Sequence, residues 1–262
     1  MNRPQSIPYK YALIDVTGRY RTIVPNEREE FDPIALVQGH WLRGELDLCK
    51  GELYQLQLFV KDLNDVRNAR SDVFELLKAK VYQCRTADNY FGLRMEAKMA
   101  AELVKTKLPF DYRDRPDFSV QGGTVNIACS SVWPDISDPV RDYRNRIASK
   151  IEKKGRLGYA KPNTLLAIDS TIVTAAMANH GLLDEKTDLN QFLANVIDRM
   201  AYGAVLSYNT VYSGATGMLM SVYSRFDSPR MDAALLIFLD TYFPLGDLTV
   251  YEPFVPGQSG GT

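Results

Sequence analysis

The stretch Arg115-Pro116-Asp117-Phe118-Ser119-Val120-Gln121-Gly122-Gly123-Thr124-Val125-Asn126-Ile127-Ala128-Cys129-Ser130-Ser131-Val132 decides how the chain is read. Asp117–Val120 reads as a short strand, and Gln121-Gly122-Gly123 as a turn suited to a hairpin. Thr124–Val132 then reads as a second strand, in which Val125, Ile127 and Cys129 alternate with Asn126, Ala128 and Ser130. Upstream, Phe91, Met95, Met99 and Leu103 recur every four residues, which predicts an amphipathic helix over Tyr90–Lys105, ended by Pro109. Downstream, a connection over Trp133–Pro139 precedes a basic helix from Val140 to about Gly155. Thr164–Asp169 (TLLAID) is a continuous apolar run, as expected of a strand covered on both faces. A helix joining neighbouring strands implies a crossover, so the expected class is α/β, a mixed central sheet flanked by helices.

Working outward, Val66, Val73, Leu76 and Leu77 predict a helix over Leu63–Lys80, with Asn64 or Asp65 as its N-cap. Leu189–Met200 reads as a further helix. Ala204–Tyr212 and Met218–Phe226 read as a hairpin around Gly214 and Gly217, and Ala233–Phe238 as a final strand. The first sixty residues differ. Tyr9–Val16 and Arg19–Val24 suggest a hairpin at Thr17-Gly18, Ala35–Trp41 an extended piece, and Gly51–Leu63 either strand or helix. The expected organisation is a small N-terminal β-containing subdomain over 1–62, a main domain over 63–256, and a flexible tail over 257–262 (GQSGGT from 257).

With 262 residues and 45% hydrophobic side chains, the chain has enough apolar material for a core, which excludes disorder as its main state. The longest apolar run is far shorter than the roughly 20 residues of a membrane helix. The opening MNRPQSIPYKY carries no apolar signal core, so the expectation is a cytoplasmic protein with no membrane partner. Cys49, Cys84 and Cys129 are scattered, and His40 and His180 are isolated, which argues against a zinc site, a disulfide framework or a His-based triad. Metal chemistry would rest on carboxylates, which suit magnesium or manganese. The 31 basic and 32 acidic residues balance, which leaves room only for a local basic patch, not for wholesale coating of nucleic acid.

Taken together, the helix carrying Glu96, the run Pro116-Asp117-Phe118, the turn, the strand Thr124–Ser130, the basic helix with Ile147, Lys150, Ile151 and Lys154, and the strand Thr164–Asp169 resemble the restriction-endonuclease-like, PD-(D/E)XK nuclease superfamily. About eighty of the 262 residues carry the resemblance. It implies a nuclease domain acting on DNA with Mg2+ (or Mn2+). Asp117 would be the principal metal ligand and Glu96 an auxiliary one. In such sites two carboxylates aim at one hard cation, which polarises the phosphate and helps generate hydroxide. A lysine two positions after the second acid shares its strand face and offsets the growing charge. In this chain Ala128 stands at the acid's position and Ser130 at the lysine's.

Three explanations of Ala128 stay open: a degenerate member that has lost cleavage, an introduced Glu-to-Ala change, or migration of the missing group to another residue. The basic helix supplies Lys150, Lys154, Arg144 and Lys153 as nucleic-acid contacts, and Lys150 or Lys154 is placed to take over the missing lysine's role. The bland reading of that helix is a solvated charged face. Glu102 competes with Glu96 as an ordinary helix-surface carboxylate, and Asp169 reads as a cap for the turn after its strand. The alternative function is a non-catalytic nucleic-acid-binding or assembly protein on the same fold. A homodimer is one assembly open to either reading, with the N-terminal subdomain aiding target binding or dimerisation.

Overall fold

A computed structural model describes residues 46–84, 87–132, 143–171, 186–213, 218–245 and 248–251, with positions 37, 41, 42, 44 and 173. The hairpin expected over 9–24 and the tail over 257–262 lie outside these residues.

Two long helices open the described chain, α1 (Leu46–Ala69) and α2 (Ser71–Gln83). α1 buries Leu56, Phe59, Val60, Leu63 and Val66, a spacing that keeps one stripe of a helix facing inward. It runs unbroken across residues 62 and 63, where the sequence reading places a boundary, so this part of the expected N-terminal unit packs in the main core. Val37 and Trp41 are also helical, not extended. The helix expected over 63–80 with a cap at Asn64 or Asp65 is instead two helices, with the break at Arg70, where φ is −143° and ψ 77°. Arg70 fastens that corner. Its guanidinium pairs with Asp72 at 2.7 Å, donates to the Phe110 carbonyl at 2.9 Å, and lies 4.8 Å from the Phe110 ring centroid.

Next comes α3 (Ala87–Thr106), which buries Phe91, Met95, Met99 and Leu103 as the four-residue spacing predicts. Strands β1 (Phe110–Tyr112), β2 (Phe118–Val120) and β3 (Val125–Ser131) form an antiparallel meander. The turn between β2 and β3 has φ of +69° at Gly122 and +97° at Gly123, a conformation that glycine adopts without steric cost. Helix α4 (Tyr143–Gly155) then leads to β4 (Thr164–Asp169), parallel to β3. Helix α5 (Lys186–Ile197) leads to β5 (Ala204–Ser213), parallel to β4, and β5 turns back into β6 (Met218–Asp227). After α6 (Ala233–Tyr242), β7 (Leu248–Tyr251) pairs with β6.

Among the described residues the strands make one seven-stranded mixed sheet whose spatial order follows the chain, β1 to β7. The fold is α/β, a mixed sheet with helices on both faces. Alternation along the central strands separates two cores. Ile127, Cys129, Leu165, Ala167 and Leu206 face α1, α2, α3 and α6. Ala128, Leu166, Ile168 and Val205 face α4 and α5, where Ile147, Ile151, Leu193 and Val196 meet them. No helix among the described residues is long and apolar enough to cross a membrane.

A further element contradicts its sequence reading. Ala233–Phe238, expected as a strand, is the first part of α6. Asp232 caps it by accepting a hydrogen bond from the Ala234 N–H at 2.8 Å, and Leu235, Phe238 and Leu239 take the buried positions. Leu236 and Ile237 point outward at 40% and 67% exposure, so an unbroken apolar run here conceals a helical stripe.

Candidate functional site

Unequal strand lengths make the opening. Along β2 the last pair is Phe118 with Ile127, while β3 continues to Ser131 with only β4 beside it. The flank of β3 beyond Ile127 is therefore without a strand partner on the β2 side, and Asp117 fills its first step. The Asp117 Oδ2 accepts a hydrogen bond from the Cys129 N–H at 2.6 Å. The backbone holds this carboxylate in place from its own side, since the Arg113 N–H donates to the Asp117 carbonyl at 2.8 Å.

A cleft of about 430 Å3 extends from there, between α2, α3, the end of β3, and α4. Its walls carry Lys80, Glu96, Cys129, Ser130, Ser131, Lys150 and Lys154. Glu96, projecting from α3, accepts from the Lys80 ammonium at 2.8 Å and from the Tyr112 hydroxyl through the same Oε2. The Lys80 Nζ also lies 4.7 Å from the Tyr112 ring centroid. From the opposite side of the sheet, Lys154 reaches the Cys129 carbonyl at 3.4 Å.

Burial pushes the Asp117 carboxyl up from 3.8 to about 6. The Glu96 charge adds to the rise, and the Cys129 N–H, Lys154 and Lys80 oppose it. Burial likewise raises the Cys129 thiol well above its ordinary value, and Asp117 and Glu96 reinforce that shift. The Cys84 thiol, also on the cleft wall, rises to about 11. Burial thus disfavours the thiolate form of both cysteines.

The residues singled out from sequence fall into two groups. Asp117, Glu96, Ser130, Lys150 and Lys154 converge on one end of the sheet. Ala128 is fully buried in the core beneath α4, one residue from the N–H that Asp117 binds, and extending the β2–β3 register by one step sets it across from Asp117. Arg144 and Lys153 lie on α4 but not on the cleft wall. Glu102 is an ordinary surface carboxylate, paired with Lys105 at 2.9 Å. Asp169 caps the Thr171 N–H at 3.0 Å and also forms a buried pair with Arg94 at 2.8 Å. Lys80, Tyr112 and Cys129 are the site residues that sequence reasoning missed. Each is brought in by tertiary contact between elements, and only the short alternation Phe110-Asp111-Tyr112 hints at the strand that presents Tyr112.

No protein-family model, curated protein or solved structure matches the chain. The site therefore has to be judged on its own chemistry. Among the described residues, no group of three or more His, Cys, Asp or Glu side chains is placed to hold a metal ion. Among the described residues, the hydrogen bonds to Asp117 and Glu96 fall on one carboxylate oxygen each, Oδ2 and Oε2, and leave Oδ1 and Oε1 open. Two carboxylates with spare oxygens fit Mg2+ or Mn2+ in the minimal way, because Mg2+ commonly takes one or two carboxylates and completes its shell with water and phosphate.

Proposed function

We propose that the chain is a PD-(D/E)XK-like nuclease domain with an incomplete motif, acting on the phosphodiester backbone of DNA. The observation that carries this reading is the seating of Asp117 on β3 at Cys129, one step from Ala128, with Glu96, Lys150 and Lys154 about the same opening. The succession of α3, the antiparallel meander β1–β3, α4, and β4 parallel to β3 supports it as well.

In this reading Asp117 and Glu96 hold the divalent cation. When bound, that cation polarises a phosphate oxygen and lowers the pKa of a water molecule. Lys150 and Lys154 draw the phosphate into the cleft and offset the charge that builds on it. The buried wall formed by Cys129 and Ser130 excludes bulk water beside the phosphate. With alanine at 128 the cation has one ligand fewer, so cleavage is slow and binding outlasts it. A cytoplasmic setting goes with this reading.

The test combines electrophoretic mobility shifts with a cleavage assay on plasmid and linear DNA. Binding is expected in EDTA, with log affinity falling against log salt at a slope of about −2, one counterion each for Lys150 and Lys154. Slow Mg2+-dependent cleavage is expected to disappear in Asp117→Asn. Absence of DNA binding at low salt, or cleavage indifferent to Asp117→Asn, overturns the proposal. The missing third carboxylate specifically favours a second reading, a non-catalytic DNA-binding protein on this fold. It predicts the same binding with no cleavage under any divalent cation.

A further inference from the structure

Lys80 belongs to no part of the motif that the sequence resembles, yet it touches the carboxylate central to the proposed site. Its ammonium lies 2.8 Å from Glu96 Oε2, beside the Tyr112 hydroxyl on the same oxygen and 4.7 Å from the Tyr112 ring centroid. The Lys80 side chain is 32% exposed and that of Glu96 15%. The pair is therefore at the cleft surface, where exchange of partners does not require burying an ion alone. About the cleft, Asp117 and Glu96 stand against Lys80, Lys150 and Lys154, and Lys80 is the lysine that Glu96 holds.

We infer that Lys80 is a built-in counter-ion that occupies Glu96 in the resting site, yields it to an arriving divalent cation, and moves to a phosphate of the bound strand. This inference rests on the nuclease reading and adds a positioning residue to it. A lysine suits the task, since its ammonium is a compact point charge on a flexible stem that swings between oxygens without the fixed geometry of a guanidinium. With Lys80 on Glu96, the attraction for phosphate comes from Lys150 and Lys154 and is opposed by Asp117. Once a divalent cation takes the carboxylates, Lys80 adds its charge to that of Lys150 and Lys154 and favours a polyanion. Cation and DNA then bind with positive coupling, and by linkage each raises the affinity for the other equally.

The experiment measures Mn2+ binding to the full chain by the electron paramagnetic resonance signal of free Mn2+. It also measures binding of a fluorescein-labelled DNA duplex by anisotropy, with and without Mn2+. In Lys80→Met, Mn2+ is expected to bind about three- to tenfold more tightly in the absence of DNA, because its competitor is gone. The same variant is expected to bind duplex about three- to tenfold more weakly when Mn2+ is present, with the salt slope reduced by about one. Opposite changes in the two affinities are not what a merely structural lysine would give. Lys78→Met, which removes a half-buried lysine paired with Glu75 on the same helix, serves as the reference and shifts neither. Circular dichroism and thermal midpoint establish that each variant is folded, and Lys80→Gln repeats the test if Met is not tolerated.

Unchanged or weaker Mn2+ binding in the Lys80 variants overturns the counter-ion role. Tighter Mn2+ with unchanged DNA affinity overturns the transfer to phosphate. If wild type binds Mn2+ in a manner that depends on Asp117 while Lys80 is silent, this inference alone fails. If wild type takes up no Mn2+ and Asp117→Asn changes nothing, the nuclease reading fails with it.

Discussion

Position 128 shows how much a single methyl group can conceal. Ala128 is fully buried among apolar side chains that include Ile147 and Ile151, yet its backbone neighbour is the donor to Asp117. A glutamate there would bring a third carboxylate to a place where burial and Glu96 already raise Asp117 to about 6. Ala128→Glu is therefore expected to lower the melting temperature by about 5–10 °C in EDTA, from the cost of a buried, uncompensated charge. Mg2+ should restore much of that loss and, with it, faster cleavage. Differential scanning fluorimetry with and without Mg2+, beside the plasmid assay, checks both, and equal destabilisation in the two buffers with no gain in cleavage would contradict the assignment. Asp117 and Glu96 were legible in the sequence because a Pro-Asp strand start and a strongly periodic helix announce themselves locally. Lys80 was not, because its meeting with Glu96 depends on how α2 packs on α3.

At the scale of elements, α3 was legible from its four-residue spacing, β3 from its alternation, β4 from a short apolar run covered on both faces, and β5–β6 from two strand-like runs about glycines. The reading failed where elements are short, or where an apolar run belongs to a helix instead of a strand. β1 and β7 have three and four residues, too few to establish an alternation, and ALLIF in α6 is apolar at every position, so its period is hidden. The Arg70 corner is set by contacts with Asp72 and Phe110 that no local pattern encodes. Close packing between elements yields a contrast that mutation can read. A Cβ at Gly203 would lie 1.9 Å from the Pro162 carbonyl oxygen, itself bonded by the Asp232 N–H that leads into α6. Backbone cannot give way as a side chain can, so Gly203→Ala is expected to cost on the order of 3 kcal/mol in urea unfolding. At Gly155 the nearest atom is the Met200 sulfur at 2.8 Å, which can rotate aside, so Gly155→Ala should cost well under half as much.

For the molecule as a whole, buried carboxylates give stability a recognisable dependence on pH. Burial raises Asp62 to about 6, against the pull of Lys98, and Asp117 rises to a similar value. A carboxyl raised in the folded state holds its proton between pH 4 and 6 while the unfolded chain has released it. Its contribution is therefore full below pH 4 and declines as pH rises to about 6. Asp72 works in the other direction. The Arg70 hydrogen bonds lower it to about 2, so its contribution is present above pH 4 and lost as pH falls towards 2. Urea unfolding from pH 4 to 7 should show Asp62→Asn gaining stability relative to wild type at the upper end compared with the lower, on the order of 1 kcal/mol. A parallel offset at every pH would mean that Asp62 does not titrate in that window. The α/β class followed from alternating helices and strands, but the division into two cores, and the place of these acids within them, depended on which face each helix covers.

The mismatch between β2 and β3 has a consequence for how such a cleft can change. Four residues of β3 run on beyond the last rung shared with β2, so one rim of the opening lies where the shorter strand stops, while its other walls are α2, α3 and α4. Changes of length between Tyr112 and Asp117 would shift that rim and leave the helical walls packed as they are. That rim is in this sense adjustable independently of the two cores.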